Sequence, residues 1–258
     1  MQIGDVSRVS LGEFPTPIQK LDNLSNKLDG PEILIKRDDM NGLGTGGNKL
    51  RKLEFEMAKA KEEGATVLIT TGAVQTNHGR LTLAAANKLN LKTVLVLTGE
   101  EPENFSGNIL LDKIMGVEEI HFVEDSQQAV DQRVNSIEER LTGEGENPYY
   151  IPVGCDPLYG TLGYATCVME LVNQLGMNHK APDYIVTASG TTSTQSGLVL
   201  GSRLFTRDQL EVVGISVSYH ERSRDKDVSD YANQAADFLG LEESFSSSNI
   251  IALDDYVG

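Results

Sequence analysis

Short apolar, β-rich runs alternate with longer amphipathic stretches along nearly the whole chain, and this alternation restricts the fold more than any other feature. Strands are expected at residues 33–35, 67–70, 93–97, 120–123, 184–187, 212–217 and 250–253. Between them, helices are expected at residues 49–63, 77–89, 104–115, 127–141, 162–174, 193–204 and 228–239. In the first helix Leu50, Leu53, Met57 and Ala60 recur at three- and four-residue spacing, and Gly64 stops the run. Strand–helix–strand order implies parallel pairing, right-handed crossovers and helices on both faces of each sheet. The expected class is therefore α/β. Residues 143–148 form a turn-rich surface loop and a candidate domain border.

With 258 residues, 39% of them hydrophobic, the chain can bury one large core or two modest ones. Its formal charge of −16, from 22 basic and 38 acidic residues, argues against binding nucleic acid or an anionic membrane, since both are polyanions. Cys155 and Cys167 lack Cys-x-x-Cys spacing, so two free thiols in a reducing compartment are expected. Residues 1–20 lack the basic and apolar regions of a secretory signal. The longest apolar runs, such as residues 93–97, are far shorter than a membrane span. Together these features predict a cytoplasmic protein. His78, His121, His179 and His220 show no metal-ligand spacing with each other or with the cysteines, so no metal is expected.

Four stretches can carry chemistry. Gly42-Leu43-Gly44-Thr45-Gly46-Gly47-Asn48-Lys49 runs into a helix start, where tight turns, free N–H groups and a positive dipole end meet a lysine. It lacks the Gly-Lys-[Ser/Thr] ending of a nucleotide-binding loop, and a flexible turn with a solvated lysine is the alternative. Gly72 to Arg80 follows a strand, where open α/β sheets bind ligands. Within it Thr76 is a helix N-cap, and His78 is either a ligand-facing or an ordinary capping or surface histidine. Ala188 to Gly197 places Thr191, Thr192, Ser193 and Thr194 between a strand and a helix. That arrangement makes either a phosphate cup without a basic residue or a plain Ser/Thr-rich loop. Pro152 to Tyr164 is a Gly/Pro-rich connection, in which Cys155 has no histidine nearby in sequence and reads as structural.

The first three stretches, in this order, resemble the fold-type II pyridoxal-phosphate enzymes, and within them the branch of 1-aminocyclopropane-1-carboxylate deaminase and D-cysteine desulfhydrase. The likeness covers nearly the whole chain. It also includes Phe14-Pro15-Thr16-Pro17-Ile18, Ile35-Lys36-Arg37-Asp38-Asp39, Arg51-Lys52-Leu53-Glu54 and the loop from Pro157 to Tyr164. Several motifs in one order are more specific than any one alone.

The resemblance implies two domains, each a mostly parallel twisted sheet with helices on both faces, as in the tryptophan synthase β fold. Residues 47–155 would form the small domain, and residues 1–46 with 156–258 the large one. It implies pyridoxal 5′-phosphate as cofactor, with Lys49 as its Schiff-base lysine and Lys52 near its phosphate. Asn77 would stand beside the ring hydroxyl, and Thr191, Thr192, Ser193 and Thr194 would form the phosphate cup. Asn48, Thr76, Asn77 and His78 would meet the substrate, with Thr76 also implicated in proton transfer. A homodimer acting on a small amino acid is implied as well. Gln75-Thr76-Asn77-His78 points to α,β-elimination from D-cysteine, giving pyruvate, sulfide and ammonia. The alternatives are a deaminase or racemase on another small amino acid, or a non-catalytic relative that keeps the fold.

Two residues depart from the pattern. Thr76 stands where a serine is usual, adding a methyl group and a stiffer rotamer. Thr192 stands where glycine is common. Family members also continue past Asp254-Asp255-Tyr256-Val257-Gly258, so a missing final strand and helix, and uncovered apolar surface, are expected.

Overall fold

A computed structural model describes residues 1–176, 182–217 and 223–257. His179, His220 and Gly258 lie outside the described residues.

The first sheet contains β3 (Val67–Ala73), β4 (Lys92–Thr98), β5 (Glu119–Val123) and β6 (Pro148–Ile151), all parallel, in the order β5-β4-β3-β6. Val67 pairs with Lys92 on one side and Pro148 on the other. Successive side chains of a strand leave on opposite faces, so this sheet needs cover on both. On one face Leu68 packs against Leu50, Leu53 and Leu81, from α2 (Lys49–Glu62) and α3 (Asn77–Lys88). On the same side Leu95 and Leu97 meet Ile109 of α4 (Gly107–Ile114). On the other face Val67, Ile69, Val94 and Val96 meet Val130, Val134, Ile137 and Leu141 of α5 (Gln127–Gly143).

The second sheet is β7 (Tyr184–Ser189), β8 (Glu211–Ser216) and β9 (Ile251–Leu253), parallel and in that order. Ile185 and Val212 pack on α6 (Pro157–Leu175) and α7 (Ser193–Thr206) through Val168, Leu171 and Leu198. Beside them, α8 (Arg224–Leu239) joins Leu162 and Leu200 in a further core cluster. The opposite face of this sheet carries the exposed Tyr184, Val186 and Leu253. A small antiparallel pair, β1 (Ile18–Lys20) with β2 (Leu34–Lys36), flanks α1 (Asp22–Leu28). No helix among the described residues is long and apolar enough to cross a membrane.

The α/β class and the parallel sheets agree with the sequence pattern. Some boundaries differ. Residues 143–148 do not end the first sheet, because β6 begins at Pro148 and pairs with β3. α6 starts at Pro157 rather than 162, since Asp156 accepts a hydrogen bond from the Leu158 N–H at 2.8 Å and proline suits the first helical position. α8 likewise starts four residues early, at Arg224.

Glycines let the central helices touch. A Cβ built on Gly197 would lie 2.3 Å from the Thr161 carbonyl oxygen and 2.5 Å from Tyr164 Cβ. One on Gly163 would lie 2.6 Å from the Arg51 carbonyl oxygen. Gly197→Ala is expected to cost about 3 kcal/mol through overpacking between α6 and α7, read as a lower midpoint in urea unfolding. An unchanged midpoint would show that α6 and α7 do not meet this closely.

Candidate active site

The first residue of α2 is Lys49, after a turn in which Gly42, Gly44, Thr45, Gly46 and Gly47 all have positive φ. A Cβ on Gly46 would fall 1.9 Å from the Asp39 carbonyl oxygen, so no other residue fits there. Asn41 donates to the Asp38 and Gly47 carbonyls at 2.7 and 2.8 Å and closes the turn. Behind it Arg51, 4% exposed, donates to both oxygens of Asp38 and of Glu170. The Tyr164 hydroxyl donates to Asp38 Oδ2 at 2.9 Å and lies 3.3 Å from the Asn48 carbonyl oxygen.

Lys49 is largely buried, and no carboxylate among the described residues pairs with it. Burial therefore lowers its pKa and favours the neutral, nucleophilic amine. Lys52, one turn on, is fully buried, and its Nζ donates to Ser193 Oγ at 2.8 Å. Burial, and then the charge of Lys49, push Lys52 well below the usual lysine range. The α2 start is thus brought against the α7 start, across 141 positions of sequence.

At that α7 start, Ser193 is buried and Thr191 and Thr194 are half-buried. The first-turn amides of a helix have no partner within the helix and attract anions. Thr192 has φ +61, which explains why glycine is common at this point. Its hydroxyl donates to the Thr191 carbonyl at 2.8 Å. Two glycines make room for the hydroxyls: a Cβ on Gly154 would sit 2.5 Å from Thr191 Oγ1, and one on Gly160 would sit 2.6 Å from Ser193 Oγ. Neither glycine was singled out by sequence; only their place in the Pro152 to Tyr164 stretch pointed to them.

From the other side come the residues at the start of α3. Thr76 caps α3, its Oγ1 accepting from the Gly79 N–H at 3.3 Å. The Asn77 side-chain amide donates to Asn48 Oδ1 at 3.4 Å. His78 is 1% exposed, and the backbone of Pro152 faces its ring. Burial, with the charges of Lys49 and Lys52, pushes it down to about 3, so the imidazole is neutral. Cys155 and Cys167 are buried free thiols. Burial raises Cys155 well above the usual thiol range, against a nucleophilic role. Nearby, Glu56 accepts from the Asp156 N–H at 2.7 Å and the Tyr149 hydroxyl at 2.9 Å, and burial pushes it up to about 7.

Lys49, Lys52, His78 and Ser193 are therefore tied together by a direct bond or electrostatic interaction, and Asn77 is bonded to Asn48, the residue before Lys49. An amine whose pKa burial lowers, an amide donor, and a hydroxyl-lined helix start fit an aldehyde, a ring hydroxyl and a phosphate on one small molecule. That is the donor set that pyridoxal 5′-phosphate needs.

Comparison with known proteins gives the same direction. Residues 9–258 match the family model described as "Pyridoxal-phosphate dependent enzyme". The chain is 41% identical to a "Putative 1-aminocyclopropane-1-carboxylate deaminase" of Pyrococcus abyssi, over 91% of this chain and 70% of the relative. It is 36% identical to a "D-cysteine desulfhydrase" of Yersinia enterocolitica, over 99% of this chain and 77% of the relative. A crystal structure of an "ACC deaminase homologue" superposes with a TM-score of 0.85 at 38% identity, covering 97% of this chain and 74% of the other.

Proposed function

The chain belongs to the pyridoxal-phosphate-dependent enzymes, in the branch of 1-aminocyclopropane-1-carboxylate deaminase and D-cysteine desulfhydrase, and from that premise we propose that it is a lyase removing sulfide from D-cysteine. The single observation that carries a lyase site is the largely buried Lys49 amine, with no carboxylate partner among the described residues, set against the Lys52–Ser193 contact. The choice of D-cysteine is supported by Gln75-Thr76-Asn77-His78.

When bound, the cofactor supplies an electron sink for the substrate's α-carbon. The Lys49 amine would hold its aldehyde end, and Asn77 would donate to its ring hydroxyl. Ser193, with Thr191, Thr192 and Thr194, the α7 amides and Lys52, would hold its phosphate. The Thr76 oxygen already accepts from the Gly79 N–H, which leaves its hydroxyl proton to donate to a substrate carboxylate. Asn48, bonded to Asn77, and the neutral His78 would line the substrate side of the cleft. The Lys49 amine, its pKa lowered by burial, is placed to accept the α-proton. Taking the α-proton there would set up loss of the β-sulfur, and the overall change balances with one water: D-cysteine and water give sulfide, ammonia and pyruvate. In this proposal residues 47–155 are the small domain, residues 1–46 with 156–258 are the large one, and the enzyme works as a cytoplasmic homodimer.

A second substrate is favoured by the 41% identity to the Pyrococcus protein, namely 1-aminocyclopropane-1-carboxylate. Purified protein loaded with cofactor decides between them. Sulfide and pyruvate from D-cysteine are expected. A four-carbon 2-oxo acid from the cyclopropane substrate, with no sulfide from D-cysteine, would select the alternative.

A further inference from the structure

The turn ahead of Lys49 is gripped by a residue that the proposed chemistry does not use. Arg80, on the first turn of α3, is 6% exposed. Its Nη1 donates to the Gly44 carbonyl and, at 2.5 Å, to Thr45 Oγ1. Its Nη2 donates to the Gly46 carbonyl at 3.2 Å, and its Nε to Asn108 Oδ1 on α4 at 2.8 Å. Asn108 holds the loop before α3 in turn: its backbone N–H donates to Gln75 Oε1 at 2.8 Å, and its side-chain amide to the Gln75 carbonyl at 2.7 Å. One guanidinium thus joins the Lys49 turn, the helix start carrying Thr76, Asn77 and His78, and the beginning of α4.

This turn needs an external hold. Gly44, Thr45 and Gly46 have φ of +53, +65 and +75, and a left-handed threonine persists only where its surroundings fix it. Arginine suits the task because its planar fork presents five donors in fixed directions, whereas a lysine presents one point charge. Asp112, one turn beyond Asn108, is fully buried with both carboxylate oxygens unpartnered, and its charge acts on Arg80.

We infer that Arg80 is a positioning residue that fixes the Gly44–Gly46 turn to the first turn of α3, and so sets the Lys49 amine relative to the Asn77 amide. Its value to the site presupposes the proposed role of Lys49.

The test uses Arg80→Met and Arg80→Lys, with amide hydrogen exchange on the cofactor-free protein and equilibrium binding of pyridoxal 5′-phosphate. In Arg80→Met, amides 43–48 are expected to exchange at least about tenfold faster while those of β3 and β4 keep their rates. The dissociation constant for the cofactor is expected to rise at least about tenfold, with Arg80→Lys between the two. If Arg80→Met does not fold, Arg80→Lys decides by the same two readouts. Turn exchange and cofactor affinity unchanged from wild type, with only the unfolding midpoint lowered, would overturn the inference. A wild-type protein that forms no visible band with the cofactor would overturn the role of Lys49 instead. Faster exchange in the variants would then still support the strap.

Discussion

Lys49→Ala is expected to lower elimination by about 10⁴-fold or more, because it removes both the anchor of the cofactor and the base that follows it. The fold should survive. Lys49 makes no ion pair among the described residues, so truncation leaves no buried partner charge there. Lys52 is the obvious substitute amine, three residues away, but Ser193 Oγ holds it at 2.8 Å and a Cβ on Gly160 would already lie 3.4 Å from its Cδ. It is therefore held toward the α7 start. Steady-state kinetics, together with an unfolding curve within about 1 kcal/mol of wild type, check this expectation. Activity retained within tenfold would place the reacting amine elsewhere.

Arg51→Met is expected to cost about 3–5 kcal/mol, the range for breaking a buried ion pair by removing one partner. Asp38 and Glu170 would lose their main cation, and Phe14 the guanidinium 4.5 Å from its ring centre. Burial alone would raise the pKa of Asp38, but the hydrogen bonds and charge of Arg51 outweigh it and hold the carboxyl below its usual range. Glu170 is lowered in the same way, by Arg51 and then Lys36. A depressed folded-state pKa gives stability that is present above the unfolded value and lost as pH falls through the folded one. Wild type should therefore lose stability from below pH about 4.5 downward, over the range of these carboxylates, and the variant should lose less there. Urea unfolding at pH 7 and at pH 3 tests both parts. An equal deficit at the two pH values would mean that packing, not the ion pairs, carries the effect.

Elements with a long, clean period were legible in sequence. The repeat of Leu50, Leu53, Met57 and Ala60 placed α2 within one residue, and the apolar block around Val94 to Leu97 placed β4 within one residue at each end. Shorter or punctuated segments were not. β6 is four residues long and opens on Pro148, so the turn-rich stretch before it hid a strand that pairs with β3. In α6, Gly160 falls before the expected helix start, yet it is helical, and it is glycine because Ser193 presses against it. The helix start lies at Asp156-Pro157, a cap followed by proline at the first helical position, ahead of that glycine.

The site divides along similar lines. Lys49, Thr76 and the hydroxyls after β7 stand at the ends of elements, where local sequence leaves a plain turn, a cap or a Ser/Thr loop equally open and only the order of several motifs points to one site. The Lys52–Ser193 contact spans 141 positions, and the grip of Arg80 on the glycine turn joins residues 34 to 36 apart. No spacing rule reaches across such distances. Burial decides the rest: His78 looks like a surface or capping histidine in sequence, but lies enclosed beside two lysines.

The most direct test loads the purified protein with pyridoxal 5′-phosphate, records its visible spectrum, reduces it with borohydride and maps the modified peptide by mass. A visible band that borohydride removes is expected, with the added mass on Lys49. No band, or a mass found on Lys52 or another lysine, would contradict it.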